Sequence, residues 1–166
     1  VVKTKHAIIA GVILVAGVIA FFVFFPSEEA KIKRQFNRIA KKVEKTPEES
    51  VVVAATKANR IGEAFTESCT VHAPDYSFSK EISSDELSTY ILSMRSQYSE
   101  ISVELYDFII DFPEKGKARV TLTASMEGKL TTGESTAETH ELKCGLRKIE
   151  DIWRIEEVEV VQVLKK

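Results

Sequence analysis

The sequence predicts an α+β fold: three helices packed on a strongly curved, mainly antiparallel sheet, preceded by one transmembrane helix. Three observations carry this reading. Residues 7–25 form an uninterrupted apolar run, apolar residues then recur at helical spacing as far as Tyr98, and from residue 99 the period changes to two. The chain has 166 residues, enough for one domain with little room for a second.

The apolar run Ala7 to Phe25 holds 19 residues without a charge or strong polar group. As a helix it spans about 28 Å, close to the hydrocarbon core of a bilayer. Lys3, Lys5 and His6 precede it and Pro26-Ser27 closes it. A cleaved secretory signal would have a shorter core and small residues at the cut, whereas this run ends Phe21-Phe22-Val23-Phe24-Phe25. A buried soluble helix would carry some polar face. The expected organisation is a basic head at residues 1–6, an anchor at 7–25, a basic juxtamembrane helix at 26–46 continuous with the domain, and the domain itself at 47–166. Lys3 and Lys5 favour a cytoplasmic N-terminus, whereas the basic residues just after the anchor oppose it under the positive-inside rule. The layout resembles bacterial signal-anchor proteins, which favours a cell-membrane protein with its domain on the periplasmic side.

Charge is unevenly distributed along the chain. Residues 28–45 hold seven Lys/Arg against three Glu, and residues 46–166 hold fourteen Lys/Arg against twenty-two Asp/Glu. Lys31, Lys33, Arg34, Arg38, Lys41 and Lys42 are either a solvated helix face or a surface lying against anionic headgroups. The whole chain is near neutral, at −2, which excludes a globally basic nucleic-acid binder.

Ile32, Phe36, Ile39, Ala40 and Val43 make one stripe on the first helix. Thr46-Pro47-Glu48-Glu49 has the pattern of a capping box opening a second helix, on which Val51, Ala55, Ala58, Gly62 and Phe65 share a face. Its small residues, Ala54, Ala55, Ala58 and Gly62, would let another element approach closely. A third helix begins at Ser83, with Asp85 and Glu86 in its first turn and Leu87, Tyr90, Ile91, Met94 and Tyr98 as its stripe. Ile101, Val103 and Leu105 alternate as a strand. The phase then passes to Tyr106, Phe108, Ile110 and Phe112, which predicts a β-bulge near Leu105-Tyr106. Turns at Pro113–Gly116, Thr131–Gly133 and Glu150-Asp151 separate three further strands, the last with a second phase slip after Glu156-Glu157. Two slips in long strands predict a strongly bent sheet.

The order helix, helix, short strand pair, helix, four long strands resembles the nuclear transport factor 2-like superfamily. The resemblance is carried by Phe65-Thr66-Glu67-Ser68-Cys69-Thr70-Val71-His72, by Ser83 to Leu87, and by Lys148 to Ile155 with Trp153, and it covers about residues 30–166. It implies a sheet wrapped around the helices as a cone with an apolar pocket. Members include enzymes, among them ketosteroid isomerase, dehydratases and epoxide hydrolases, and also binding or assembly domains, so fold alone does not choose. The isomerase-like members place a general-base Asp directly before a Pro. The matching stretch here is Val71-His72-Ala73-Pro74, so Ala73 stands at the base position and cannot take a proton. Asp75 is a shifted substitute whose direction the alternation opposes.

Candidate pocket residues are Phe65, Tyr76, Phe78, Tyr90, Tyr106, Phe108, His140 and Trp153, with core packing as the alternative for each. His72 and His140 are either rim residues or ligands. With three His in the chain and no His pair at ligand spacing, neither a metal site nor a cofactor is signalled. Cys69 and Cys144 are either two buried thiols or a disulfide closing a long loop. These features favour a non-catalytic, membrane-anchored binding or assembly domain whose partner is a protein, or a second copy meeting it through the open face of the sheet. The inner-membrane assembly component of type IV secretion systems is the nearest analogy in architecture. A small apolar-ligand carrier or a pocket enzyme is the alternative.

Overall fold

The computed structural model describes residues 27–74 and 77–163, apart from the side chains of residues 162 and 163. The predicted head and anchor, residues 1–6 and 7–25, lie outside the described residues. No helix among the described residues is long and apolar enough to cross a membrane. The chain divides into two compact units, residues 1–34 and 35–166.

In the first unit, helix α1 (Glu28–Val43) begins. Ser27 Oγ accepts from Ala30 N at 3.2 Å. Glu28 and Glu29 fill the first turn and pair with Lys31 and Lys33 at 2.7 and 2.9 Å. Acidic residues belong at this end, where the helix dipole is positive.

The second unit takes the rest of α1 with α2 (Val51–Gly62), β1 (Phe65–Ala73), β2 (Phe78–Ser83), α3 (Ser84–Ser96), β3 (Tyr98–Glu114), β4 (Lys117–Leu130), β5 (Ser135–Ile149) and β6 (Ile152–Val163). The strands form one sheet in the order β2-β1-β6-β5-β4-β3. β1 runs parallel to β6 and the other neighbours are antiparallel, so the sheet is mixed. The three helices pack on one face. Their contact buries Phe36, Ala58 and Ile61 together with Ile101, Val120, Leu122, Leu146, Trp153 and Ile155. Alternation sends Ala118, Val120 and Leu122 inward and Lys117 and Arg119 outward.

The bulge expected near Leu105-Tyr106 lies two residues later. Tyr106 pairs with Thr123 and Ile109 with Thr121, so the extra residue falls between them, at Asp107 with φ 54°. The second slip is at Glu156: Leu146 pairs with Ile155 and Gly145 with Glu157. The β5–β6 hairpin turns through Glu150 and Asp151, both at positive φ, as a two-residue turn that matches strand twist requires.

The helices differ from expectation in two places. Thr46-Pro47-Glu48-Glu49 is a turn, with Glu49 N donating to Thr46 O at 3.1 Å, and the N-cap of α2 is Ser50. A β-bridge between Lys45 and Ile101 holds the chain extended just before, and Glu49 is drawn inward. Its carboxylate, 2% exposed, pairs with the buried guanidinium of Arg95 and, at 2.5 Å, with Lys57. The stripe of α3 is also rotated: Ser88 and Arg95 are buried and Tyr90 is exposed. Ser83 caps α3 in a full capping box with Glu86.

Arg95 Nη1 donates to the carbonyls of Lys42, Val43 and Glu44, at 2.6 Å for Val43, and so closes the C-terminus of α1. Lys45 Nζ returns the contact by donating to Arg95 O and Tyr98 O at 3.0 and 2.6 Å, at the C-terminus of α3. Burial pushes the Glu49 carboxyl up, but hydrogen bonds from Lys57 and Arg95 and their charges together hold it below the usual carboxylate value. The unfolded chain therefore takes up this proton first as pH falls. Glu49's contribution to stability is complete above the ordinary carboxylate value and is lost as pH drops through the folded value. Glu49→Gln should cost about 3–5 kcal/mol near neutral pH, because it leaves Arg95 buried without its main anion. Urea unfolding repeated toward acid should show a shallower loss for the variant than for the parent, and parallel losses would remove Glu49 from the acid response.

The small face of α2 does let α3 approach. A Cβ on Gly62 would stand 2.8 Å from Ser84 O and closer still to Ser88 Oγ. Gly62→Ala should therefore destabilise by about 1–3 kcal/mol through overpacking, despite its better helix propensity. A rise in the unfolding midpoint would show that the two helices can separate at no cost.

Candidate functional site

The structure does not gather the described pocket candidates into one site. Phe108 points inward and packs edge-on against Phe36, with ring centroids 6.1 Å apart at 69°. Trp153 is buried against Phe112 at 5.9 Å, with Lys148 Nζ 5.9 Å from its ring. Both are therefore core. Tyr90 is 49% exposed, with Lys80 Nζ 5.9 Å over its ring. Tyr106 is 41% exposed on the outward face of β3, because the bulge falls after it and leaves it in outward phase with Glu104. Phe65 and Phe78 are half-buried at the starts of β1 and β2. Tyr76 and Asp75 lie outside the described residues.

His140 is a polar candidate that faces inward. It pairs with Ala124 in register, and its Nε2 is 3.1 Å from Glu138 Oε2, two residues back on the same side of β5. The other described inward positions from Ile101 to Val160 are apolar, apart from Thr136, Cys144 and Lys148. Ala73 is buried opposite Phe78, so the isomerase-like base position holds a methyl group. His72 Nδ1 lies 2.8 Å from Ser79 Oγ across the β1–β2 pair.

Of the predicted membrane-surface residues, Lys31, Lys33 and Lys41 pair with Glu28, Glu29 and Glu44 on their own helix or just past it. Arg34 and Arg38 are exposed, and Lys42 is half-buried. Among the described residues no three His, Cys, Asp or Glu lie close enough to hold a metal ion.

The two cysteines stand on different strands of the sheet. Cys69 and Cys144 are both buried free thiols. Cys144 pairs with Val158 on β6, and β1 pairs with the other edge of β6, so a whole strand stands between them. Two strand spacings put their Cα atoms about 10 Å apart, beyond disulfide reach. Burial, with Cys69 and Glu157 nearby, pushes the Cys144 thiol up to about 12. Burial, with Glu157 and Glu156, pushes Cys69 to about 11. At mildly alkaline pH the folded thiols should react with a disulfide reagent roughly a hundredfold more slowly than unfolded ones. Two thiols per chain should titrate after unfolding without reductant, and none would restore the disulfide. The unfolded thiols ionise first as pH rises past their ordinary value, so the thiol contribution to stability is whole below that value and declines above it.

The sequence missed Arg95, the most buried charge among the described residues, and a groove beside the β5–β6 hairpin. That groove, of about 580 Å³, lies between the end of α2, the start of β1 and the β5–β6 hairpin. Arg147 and Arg154 reach it from directly opposed positions. The opposition was readable once the turn was placed at Glu150-Asp151, by counting back along both strands.

No family model matches the sequence, and no curated protein matches it. Solved structures do. A protein of Novosphingobium aromaticivorans provisionally described as a scytalone dehydratase superposes with a TM-score of 0.68 at 15% identity, over 84% of this chain and 87% of its own. The Kfla4162 protein of Kribbella flavida gives 0.68 at 12% identity, over 83% and 93%. The hexachlorocyclohexane dehydrochlorinase LinA-type3 of Novosphingobium barchaimii gives 0.63 at 7%, over 82% and 88%. At these identities the likeness is one of fold, and the fold is the nuclear transport factor 2-like one that the resemblance implied.

Proposed function

We propose that this chain is a membrane-anchored, non-catalytic binding and assembly domain of the bacterial cell envelope. In this reading residues 7–25 anchor it, residues 26–46 join anchor to domain, and residues 47–166 face the periplasm and meet a protein partner or a second copy. The observation that carries the reading is the division of the sheet's two faces. On the inward face Phe108 packs on Phe36 and Trp153 on Phe112. The outward face of β3 leaves Tyr106 41% and Ile109 61% exposed, beside Thr123 and Thr121. Large apolar side chains exposed on a polar surface are what an interface core requires. β3 is an edge strand of 17 residues, but its edge is guarded by the Asp107 bulge and by five carboxylates with no Lys or Arg. Such guards oppose strand addition, so the partner meets the face of β3 and not its edge.

A second reading, a pocket for a small apolar ligand, has one observation in its favour: the Glu138–His140 pair on the inward side of β5. The neighbours' dehydratase and dehydrochlorinase names belong to those proteins, and at this identity they add only the fold.

Sedimentation and native mass spectrometry of the full chain, gently extracted in detergent, separate the two. Assembly predicts a concentration-dependent oligomer or a stoichiometric protein partner. Ile109→Asp should weaken it at least tenfold, and His140→Ala should leave it unchanged. A monomer at every concentration, with a retained small molecule that His140→Ala releases, would replace assembly with the pocket reading.

A further inference from the structure

Arg147 on β5 and Arg154 on β6 stand directly opposite each other beside the hairpin turn, both outward, since their neighbours Lys148 and Trp153 form the adjacent inward pair. Like charges at directly opposed positions are unfavourable in a sheet, so the arrangement favours an anion beside it. Only one of the two has a carboxylate. Arg147 Nη2 lies 2.6 Å from Glu156, whereas Arg154, half-buried, makes no ion pair or side-chain hydrogen bond among the described residues. Both guanidiniums line the groove of about 580 Å³, whose walls also carry Phe65 and Ile149. Ile149 is 42% exposed there. Glu63 and Glu67 line the same groove and are exposed.

We propose that this groove binds a small organic carboxylate, its oxygens taken by the Arg154 guanidinium with Arg147 raising the positive potential, and its apolar body laid against Phe65 and Ile149. A guanidinium presents paired N–H groups at the spacing of carboxylate oxygens, and the volume suits a molecule of small-ligand size. A bare inorganic anion would gain nothing from the apolar wall. Glu63 and Glu67 disfavour multiply charged anions, which selects for a single carboxylate. The site lies on the β1, β5 and β6 side of the sheet and is independent of the β3 face assigned to assembly.

The test uses benzoate as probe, with benzyl alcohol and inorganic phosphate as controls, on the full chain in mild detergent with ¹⁵N-labelled arginine. Benzoate should shift the Arg154 side-chain N–H resonance saturably in the millimolar range, and the two controls should not. Arg154→Met should weaken benzoate at least tenfold, and Glu67→Gln should tighten it. Arg147→Gln, at a more exposed position, should weaken it less and serves if Arg154→Met does not fold. An equal response to phosphate would reduce the site to a nonspecific positive patch. No saturable shift, or an Arg154 resonance in the free protein that moves on Glu67→Gln as a formed ion pair would, overturns the proposal.

Discussion

The fold of the second unit depends on one buried contact, the ion pair between Arg95 and Glu49. Helices α1 and α3 both end at this point, and each leaves last-turn carbonyls that its own backbone cannot satisfy. The chain solves both ends by exchange. Arg95, the last-turn cation of α3, reaches the carbonyls of Lys42, Val43 and Glu44. Lys45, just past α1, reaches those of Arg95 and Tyr98. Lys57 closes the group from α2, donating to Glu44 O at 3.0 Å and to Glu49. Cations at helix C-termini are favourable, but here one of them is only 1% exposed, and its desolvation must be offset by an anion of matching shape. Glu49 supplies it. Arg95 Nε has no partner among the described residues, at a cost of about 1–3 kcal/mol, so the cluster fixes geometry more than it adds stability.

What this fixes is the placement of helices against sheet. The bridge from Lys45 to Ile101 ties the same cluster to β3, the first strand of the meander. Once β3 is set, the Asp107 bulge decides which side chains point where: Leu105 and Phe108 turn inward and Tyr106 and Ile109 outward. The inward set closes on Phe36 and the core. The outward set becomes surface that packing does not require. Function on such a scaffold belongs to whatever the strands present outside, unless a polar group interrupts the apolar interior. Glu138 with His140 is the interruption that keeps a pocket reading alive.

Much of this was legible in the sequence because it is local. Period and phase gave the three helices and four long strands, Ser83 with the acidic first turn of Asp85 and Glu86 gave the start of α3, and the phase change in β3 gave the bulge to within two residues. The failures came from long-range forces. Thr46-Pro47-Glu48-Glu49 satisfies the local pattern of a capping box, yet Glu49 answers to Arg95, 46 positions away, and the helix waits for Ser50. Apolar alternation turns Tyr106 inward, but a displaced bulge reverses a side chain, and alternation does not locate a bulge more finely. The cysteines shared a predicted environment, and they do share a core, but strand order alone reveals the strand between them.

Arg147 and Arg154 show the opposite case, a local feature that apolar periodicity does not report. A two-residue turn at Glu150-Asp151 fixes Ile149 opposite Ile152, Lys148 opposite Trp153 and Arg147 opposite Arg154. The inward pair is reconciled by the lysine lying near the indole face, a contact favourable to both. The outward pair has no such internal remedy, because Glu156, displaced by its own bulge, reaches Arg147 and not Arg154. The second bulge therefore does at the hairpin what the first does on β3. It moves one side chain out of phase, and the group left behind, an unanswered guanidinium here and exposed aromatic and aliphatic side chains there, is what the sheet offers to the outside.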